Sequence, residues 1–359
     1  MNKERIREEA SYTARGQPNI AFVKYWGKRD ERLILPYNSS VSMTLDPSIN
    51  TTTSVMFSEK FKEDTLYINR DRQDISGGEA KERFALINTL RELAHTDAKA
   101  LIVSENNFPT ASGLASSASG IATLAYAAAE ALGLELSEKE LSIIARQGSG
   151  SACRSILGGI VVWHRGEKPD GSDSFAEQVV NEGYWEELRD VVAIVSTDKK
   201  RVSSRAGMKQ TVATSLLYRI RPQIAEEYAG VAIDAVKNKD FGRLAETIMR
   251  DSSNMHAVML DTYPPIVYLN DVSVRVMYAI YELNKAEGRS VAAYTFDAGA
   301  NAHIITLEKD AERVEEALDG IEGISRILKL HQGGGPVLLG SEKSLISNEI
   351  LDSLYQARS

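Results

Sequence analysis

Asn107-Phe-Pro-Thr-Ala-Ser-Gly-Leu-Ala-Ser-Ser-Ala-Ser-Gly120 runs directly into Ile121-Ala-Thr-Leu-Ala-Tyr-Ala-Ala-Ala-Glu-Ala131. Small and hydroxyl residues thus open an alanine-rich segment, and alanine is the strongest helix former. The first N–H groups of a helix lack intrahelical partners and carry the positive end of its dipole. Residues with little or no side chain let a phosphate approach that main chain. The stretch therefore reads as a nucleotide phosphate cradle at a helix start. It is not a Walker loop, since no Gly-Lys-Ser/Thr follows.

Around this centre the pattern mixes strands and helices. Val, Thr, Ile and Tyr mark strands over 50–57, 65–69 and 100–104. A helix is expected over 79–94. The helix after the cradle should stop near Gly133, a C′ glycine. Ser137-x-x-Glu140 is a capping box, with Leu136 and Leu141 spaced as a hydrophobic staple. That helix should end before Gly148, and strands follow over 160–164 and 191–196. The second half predicts helices over 209–237, 240–254 and 272–286. It then predicts strands over 291–297 and 302–307, a helix over 311–318 and a strand over 324–330. Without strict βαβ alternation, the fold class is α+β. We divide the chain near residue 195 into an N-terminal lobe, 1–195, carrying the phosphate loop, and a C-terminal lobe, 196–359. No Pro/Gly linker marks the division, so the lobes should share a cleft.

Composition narrows the function classes. The 359 residues suffice for a large core, and 43% hydrophobic with 26% charged residues is ordinary for a soluble protein. No apolar run reaches the roughly 20 residues that span a bilayer. The N-terminus is charged and has no apolar signal core. A single cysteine, Cys153, excludes an internal disulfide, and a cytoplasmic setting is expected. The net charge of −8 argues against a nucleic-acid partner. The five histidines show no metal-binding spacing.

Several motifs carry chemistry. In Pro18-Asn-Ile-Ala-Phe-Val-Lys-Tyr-Trp-Gly-Lys-Arg29, Ile20, Phe22 and Tyr25 read as a buried strand that Lys24 interrupts. A lysine there is costly unless it is paired, faces a polar cavity or snorkels from an edge. Gly148-Ser-Gly-Ser-Ala-Cys-Arg154 offers hydroxyls, amides and a guanidinium to phosphate or carboxylate oxygens. It also reads as a plain glycine turn, with Cys153 a buried filler. Asp297, in Tyr294-Thr-Phe-Asp-Ala-Gly-Ala-Asn-Ala302, ends an apolar strand at a tight turn. It fits a base, a magnesium ligand or a turn-forming Asx residue. In Lys199-Lys-Arg-Val-Ser-Ser-Arg-Ala-Gly-Met208, Ser204 can cap the next helix or, with Arg205, hold phosphate. His331-Gln-Gly-Gly-Gly-Pro336 is a turn or a cavity wall.

The order and wording of these segments resemble the diphosphomevalonate decarboxylases of the GHMP kinase superfamily. The likeness runs from about Tyr12 to Leu338. It includes Asn19–Lys28, Leu35-Pro-Tyr-Asn-Ser-Ser40, Asn107–Gly120, Gly148–Arg154, Val202–Met208, Met255-His-Ala, Pro264-Pro265 and Tyr294–Ala302. The resemblance implies a two-lobed GHMP-kinase-like fold, with a ribosomal protein S5 domain 2-like N-terminal lobe and a ferredoxin-like C-terminal lobe. It implies ATP- and Mg²⁺-dependent decarboxylation of mevalonate 5-diphosphate to isopentenyl diphosphate by a homodimer. By matching positions, Asp297 stands against the tertiary 3-hydroxyl, Arg154 binds the C1 carboxylate with Asn19 near it, and Lys24 completes the catalytic set. Tyr25, Lys28, Ser149, Ser151, Ser204 and Arg205 hold the 5-phosphates. Pro109, Ser112, Gly113, Leu114, Ala115, Ser116 and Ser117 face the ATP phosphates, with Ser117 also a Mg²⁺ ligand.

Two positions depart from the family pattern. Ala300 stands where the family usually has proline, and the 331–336 loop differs from the usual Gly-Pro-Gly-Pro. Relatives also include enzymes of mevalonate 5-phosphate, a mevalonate 3-kinase and a bisphosphomevalonate decarboxylase. Asp297, Lys24 and Arg154 together with Ser116-Ser117 favour the complete ATP-using decarboxylase. Ser204-Arg205 favours the diphosphate. A kinase that stops at phosphorylation, or a nucleotide-binding regulator, has little use for all three catalytic groups.

Overall fold

Thr51–Ser58, rich in β-branched residues, forms the central strand of the first of three main sheets. It pairs antiparallel with Tyr12–Gly16 on one side and Lys99–Asn106 on the other. The structure, a computed structural model, describes residues 10–108, 116–195 and 201–356. Thr65–Ile68 joins Lys99–Asn106 in parallel, and Val337–Leu339 closes the opposite edge against Tyr12–Gly16. One face of this sheet packs on the helices Gly78–Ala94, Ser116–Ala131 and Glu138–Gly148. Their shared core runs through Val55, Phe57, Ile87, Leu90, Ile102, Ala122, Ala125 and Ala128. Alanine on that helix lets backbones approach closely. The other face carries Leu345, Ile346 and the helix Asn348–Gln356 over Met56, Phe61, Leu101 and Val103.

The second sheet orders Ala176–Val180, Ile160–Trp163, Ser40–Thr44 and Asn19–Val23. The third orders Ala292–Phe296, Ala302–Leu307, Leu188–Ile194 and Arg326–Leu330, all antiparallel. Between them lies a layer of two helices, Arg221–Lys237 and Phe241–Leu260. One core cluster joins all three layers: Ile20, Phe22 and Met43, then Ala225, Ala232, Leu244 and Ile248, then Val192, Ala293 and Ile305. The helices Asp271–Glu287 and Glu308–Leu318 cover the far side of the third sheet through Val276, Ile280, Val314 and Leu318. The sandwiched strands Asn19–Val23 and Ser40–Thr44 are buried along their whole length, as a doubly covered sheet requires.

The architecture is α+β, as expected. Gly133 has φ of 63°, and the Ser137/Glu140 capping box forms with both reciprocal bonds. Three local readings are corrected. The single helix expected over 209–237 is two, Ser204–Thr214 and Arg221–Lys237. The break comes at Ser215, whose hydroxyl donates to Asp261 across the fold and accepts from the Tyr218 N–H. Pro222 then sets the start of the second helix. Ser203, not Ser204, is the cap of the first helix, accepting from the Ala206 N–H. Tyr25 lies beyond the buried strand, which stops at Val23. The strand Leu188–Ile194 sits inside the third sheet, so the division drawn near 195 passes just after it. Among the described residues no helix is long and apolar enough to cross a membrane.

Candidate active site

Lys24 follows the edge strand Asn19–Val23, and Asp297 follows the edge strand Ala292–Phe296 of a different sheet. The Lys24 Nζ donates to Asp297 Oδ1 at 2.7 Å. The lysine side chain is 2% exposed and the aspartate 34%. The pair therefore leaves its carboxylate partly open and keeps its ammonium inside. Of the readings open for Lys24, pairing is the one found.

Both backbones are held in place. The Lys24 N–H donates to Asp251 Oδ2 at 2.7 Å, and its carbonyl accepts from Asn38 Nδ2 at 3.1 Å. Asp251 Oδ1 in turn accepts from Arg221 Nη1 at 2.6 Å, and both side chains are fully buried. The Phe296 N–H, on the open edge of its sheet, donates to Ser252 Oγ at 3.0 Å. The Gly299 N–H closes the following turn on the Asp297 carbonyl at 2.7 Å.

Arg154 lies on the 3₁₀ segment Gly150–Ile156, almost fully buried. Its Nε and Nη2 donate to Asn19 Oδ1 at 3.3 and 3.1 Å, and Nε also donates to Ser42 Oγ at 3.0 Å. Asn19 Nδ2 donates to Ser155 Oγ at 2.8 Å and to the Ser151 carbonyl at 3.2 Å. The remaining nitrogen, Nη1, is buried with no hydrogen-bond partner among the described residues. Burial pulls the guanidinium pKa below its ordinary value, and the Cys153 thiol and the Asp297 carboxylate pull it back up. A buried donor left open beside a carboxylate-bearing pair is a place for an anion, because leaving it unmet is costly.

Tyr25 stacks edge-on to Trp163, ring centroids 4.7 Å apart. Its hydroxyl is enclosed, and burial, then the charge of Glu31, holds its pKa far above the ordinary value. Gly150 is required here: a Cβ would lie 2.8 Å from the Tyr25 ring and 2.9 Å from Trp163. Ser149 and Ser151 flank it. Arg205, in the first turn of the helix Ser204–Thr214, donates to the Gly148 carbonyl at 2.9 Å. The structure thus brings Tyr25, Ser149, Ser151 and Arg205 together, with Ser204 beginning the same helix. Lys28 is buried but engaged with Glu31 at 2.6 Å.

The helix Ser116–Ala131 has no acidic residue in its first turn, so no side chain of that turn offsets the positive end of its dipole. Ser117 is exposed there. Pro109, Ser112, Gly113, Leu114 and Ala115 lie outside the described residues, as does the side chain of Ser116. Among the described residues no His/Cys/Asp/Glu group could hold a metal on its own. A hydroxyl beside an anion-seeking helix start fits a cation that arrives with nucleotide phosphates.

Asp251, Ser252, Arg221 and Ser42 escaped the sequence reading, whereas Asn38 and His256 stood only within segments of the family likeness, with no role of their own. The polar run Asp251-Ser-Ser-Asn254 within an otherwise amphipathic helix was the available signal. His256 packs edge-on to Phe296, centroids 6.2 Å apart, with its pKa lowered to about 4 by burial and then by Lys24. Unfolded histidine takes a proton near pH 6.5, whereas folded His256 stays neutral down to about 4. The unfolded state therefore binds more protons between these values. This contribution, on the order of 3 kcal/mol, is complete above pH 6.5 and is lost as pH falls to about 4. Denaturation midpoints measured across that window should fall less steeply in His256→Asn than in the parent.

Cys153 is a buried filler, its thiol pushed up to about 12 by burial. Thiolate is the reactive form. The native protein should therefore resist a thiol reagent for hours and react fully once unfolded, as counted by chromogenic disulfide exchange.

Comparison with known proteins adds to this geometry. A family model described as diphosphomevalonate decarboxylase-like N-terminal domain matches residues 16–176. Another, described as mevalonate 5-diphosphate decarboxylase C-terminal domain, matches residues 190–336. The diphosphomevalonate decarboxylase of Aspergillus fumigatus is 48% identical over 320 residues, covering 85% of this chain and 79% of that protein. The solved mevalonate diphosphate decarboxylase from Trypanosoma brucei matches with a TM-score of 0.85 at 35% identity, covering 94% of this chain and 100% of that one. A structure of MDDEF in complex with MVAPP, AMPPCP and magnesium matches with a TM-score of 0.83 at 38% identity, covering 92% of this chain and 99% of that one. The chain belongs to the diphosphomevalonate decarboxylase family.

Proposed function

We propose that the protein converts mevalonate 5-diphosphate and ATP to isopentenyl diphosphate, ADP, phosphate and CO₂. The observation that carries this reading is the Lys24–Asp297 pair at 2.7 Å, with the uncommitted Nη1 of Arg154 buried near enough for Asp297 to act on its charge. A tertiary alcohol with a carboxylate two carbons away needs those groups together. MgATP supplies the phosphoryl group. Asp297 accepts a hydrogen bond from the substrate 3-hydroxyl and orients it, taking its proton as the new P–O bond forms. Lys24 holds the carboxylate in that direction. In a loose phosphoryl-transfer transition state the proton leaves late, so orientation outweighs base strength. Once the 3-oxygen is a phosphate ester it departs as phosphate. The C1–C2 bond then breaks, its electron pair forming the new double bond as CO₂ leaves. Arg154 Nη1 binds the carboxylate, while Asn19 and Ser42 fix the guanidinium plane. One open nitrogen, not a bidentate fork, avoids over-stabilising a charge that must disappear.

Tyr25, Ser149, Ser151, Ser204, Arg205 and Lys28 take the 5-diphosphate. The first turn of the helix Ser116–Ala131 takes the nucleotide phosphates, and Ser117 would hold the Mg²⁺ that comes with them. The two lobes divide this work, one presenting the nucleotide loop and the other Asp297. We further propose a cytoplasmic homodimer. Exposed Leu216, Leu217, Leu260 and Tyr263 support it, since Asp261 and Thr214 tie their segments together. Light scattering should give twice the chain mass.

The deciding assay supplies ATP and Mg²⁺ with mevalonate, its 5-phosphate or its 5-diphosphate, and follows ADP and CO₂. Equal ADP and CO₂ from the diphosphate is expected. ADP without CO₂ on every substrate would overturn the reading.

A further inference from the structure

Lys24 and Asp297 each come just after a strand, and the two strands lie in different sheets, so no single strand or turn fixes their separation. The helix between those sheets, Phe241–Leu260, touches both ends with consecutive residues. Asp251 Oδ2 accepts from the Lys24 N–H at 2.7 Å, and Ser252 Oγ accepts from the Phe296 N–H at 3.0 Å. One turn on, His256 lies against the Phe296 ring and the backbone of Phe296 and Asp297. Asp251 is fully buried and Ser252 is 1% exposed. Both anchors grip main-chain N–H groups, one just after and the other at the end of an edge strand, which the sheets leave unmet.

We propose that Asp251 and Ser252 are positioning residues that set the register between Lys24 and Asp297 across the two sheets; this rests on the function proposed above. Neighbouring positions on one rigid helix fix two N–H groups relative to each other more closely than two loops can. Arg221 locks Asp251 by taking its second oxygen. Misplacing a reacting group by a fraction of an ångström costs rate without costing binding. Ser252→Ala should therefore lower kcat roughly tenfold, with KM for both substrates within about twofold.

The measurement is the steady-state rate of CO₂ release per titrated site, sites being counted by binding of mevalonate 5-diphosphate. Ser252→Thr keeps the hydroxyl acceptor and should recover most of kcat. Ile248→Val, buried in the core on the same helix, should lower the melting temperature and leave kcat per site unchanged. The double variant Asp251→Leu with Arg221→Met removes the buried charges together and the anchor on Lys24. It should remain folded with kcat lowered at least as much as in Ser252→Ala. A Ser252→Ala kcat within twofold of the parent, or an equal loss in Ile248→Val, overturns the assignment alone. A parent protein that releases no CO₂ overturns the function and the assignment with it.

Discussion

Asp297→Asn lowers turnover by roughly 10³-fold, inside the span that a positioned acid–base group contributes. The substitution keeps size and leaves an oxygen for the Lys24 ammonium, now at 2.7 Å from Oδ1. What it removes is the charge proposed to draw the substrate hydroxyl and take its proton. It also leaves Lys24, 2% exposed, facing a neutral amide. Nucleotide affinity should hold within about twofold, because the proposed nucleotide site is the helix start at Ser116 and not Asp297. CO₂ release under saturating substrates, beside titration with a fluorescent ATP analogue, separates these effects. Turnover within tenfold of the parent would remove Asp297 from the chemistry.

The second large effect is on stability. Asp251→Ala strands Arg221, whose side chain has no exposure, without its counter-charge. Breaking a buried pair from one side costs about 3–5 kcal/mol. Against a typical total of roughly 5–15 kcal/mol, that is a large fraction of the stability. The Lys24 N–H loses its acceptor in the same change. Replacing both charged residues, Asp251→Leu with Arg221→Met, should recover most of the loss, since well-packed apolar pairs often match a buried ion pair. Midpoints in urea would order the three proteins as parent, then double variant, then Asp251→Ala. A single variant as stable as the parent would show that water reaches Arg221.

What the sequence disclosed follows from how local each cause is. The Ser137/Glu140 box and Gly133 act within one turn, and both are found as read. The buried strand before Lys24 was visible because covered strands are apolar throughout. The break after Thr214 was not, because its cause is a hydroxyl reaching Asp261, 46 positions away. Nor was the strand Ala176–Val180, which alternates poorly along an outer edge. Among site residues, Lys24, Asp297 and Arg154 stood out as charges in apolar or glycine-rich surroundings. Asp251 and Arg221 lie within stretches read only as helices, where a charge is ordinarily solvated. Only the third dimension, which sets that helix between two sheets, buries them.

The strand Val337–Leu339 and the helix Asn348–Gln356 belong to the first sheet, although the whole third sheet precedes them in the chain. Synthesis runs in the other direction from this assembly. While a ribosome is still adding residues 337–356, the strand Tyr12–Gly16 has an open edge, and Met56, Phe61, Leu101 and Val103 lack their cover. The first sheet therefore closes only after every strand of the third has been made.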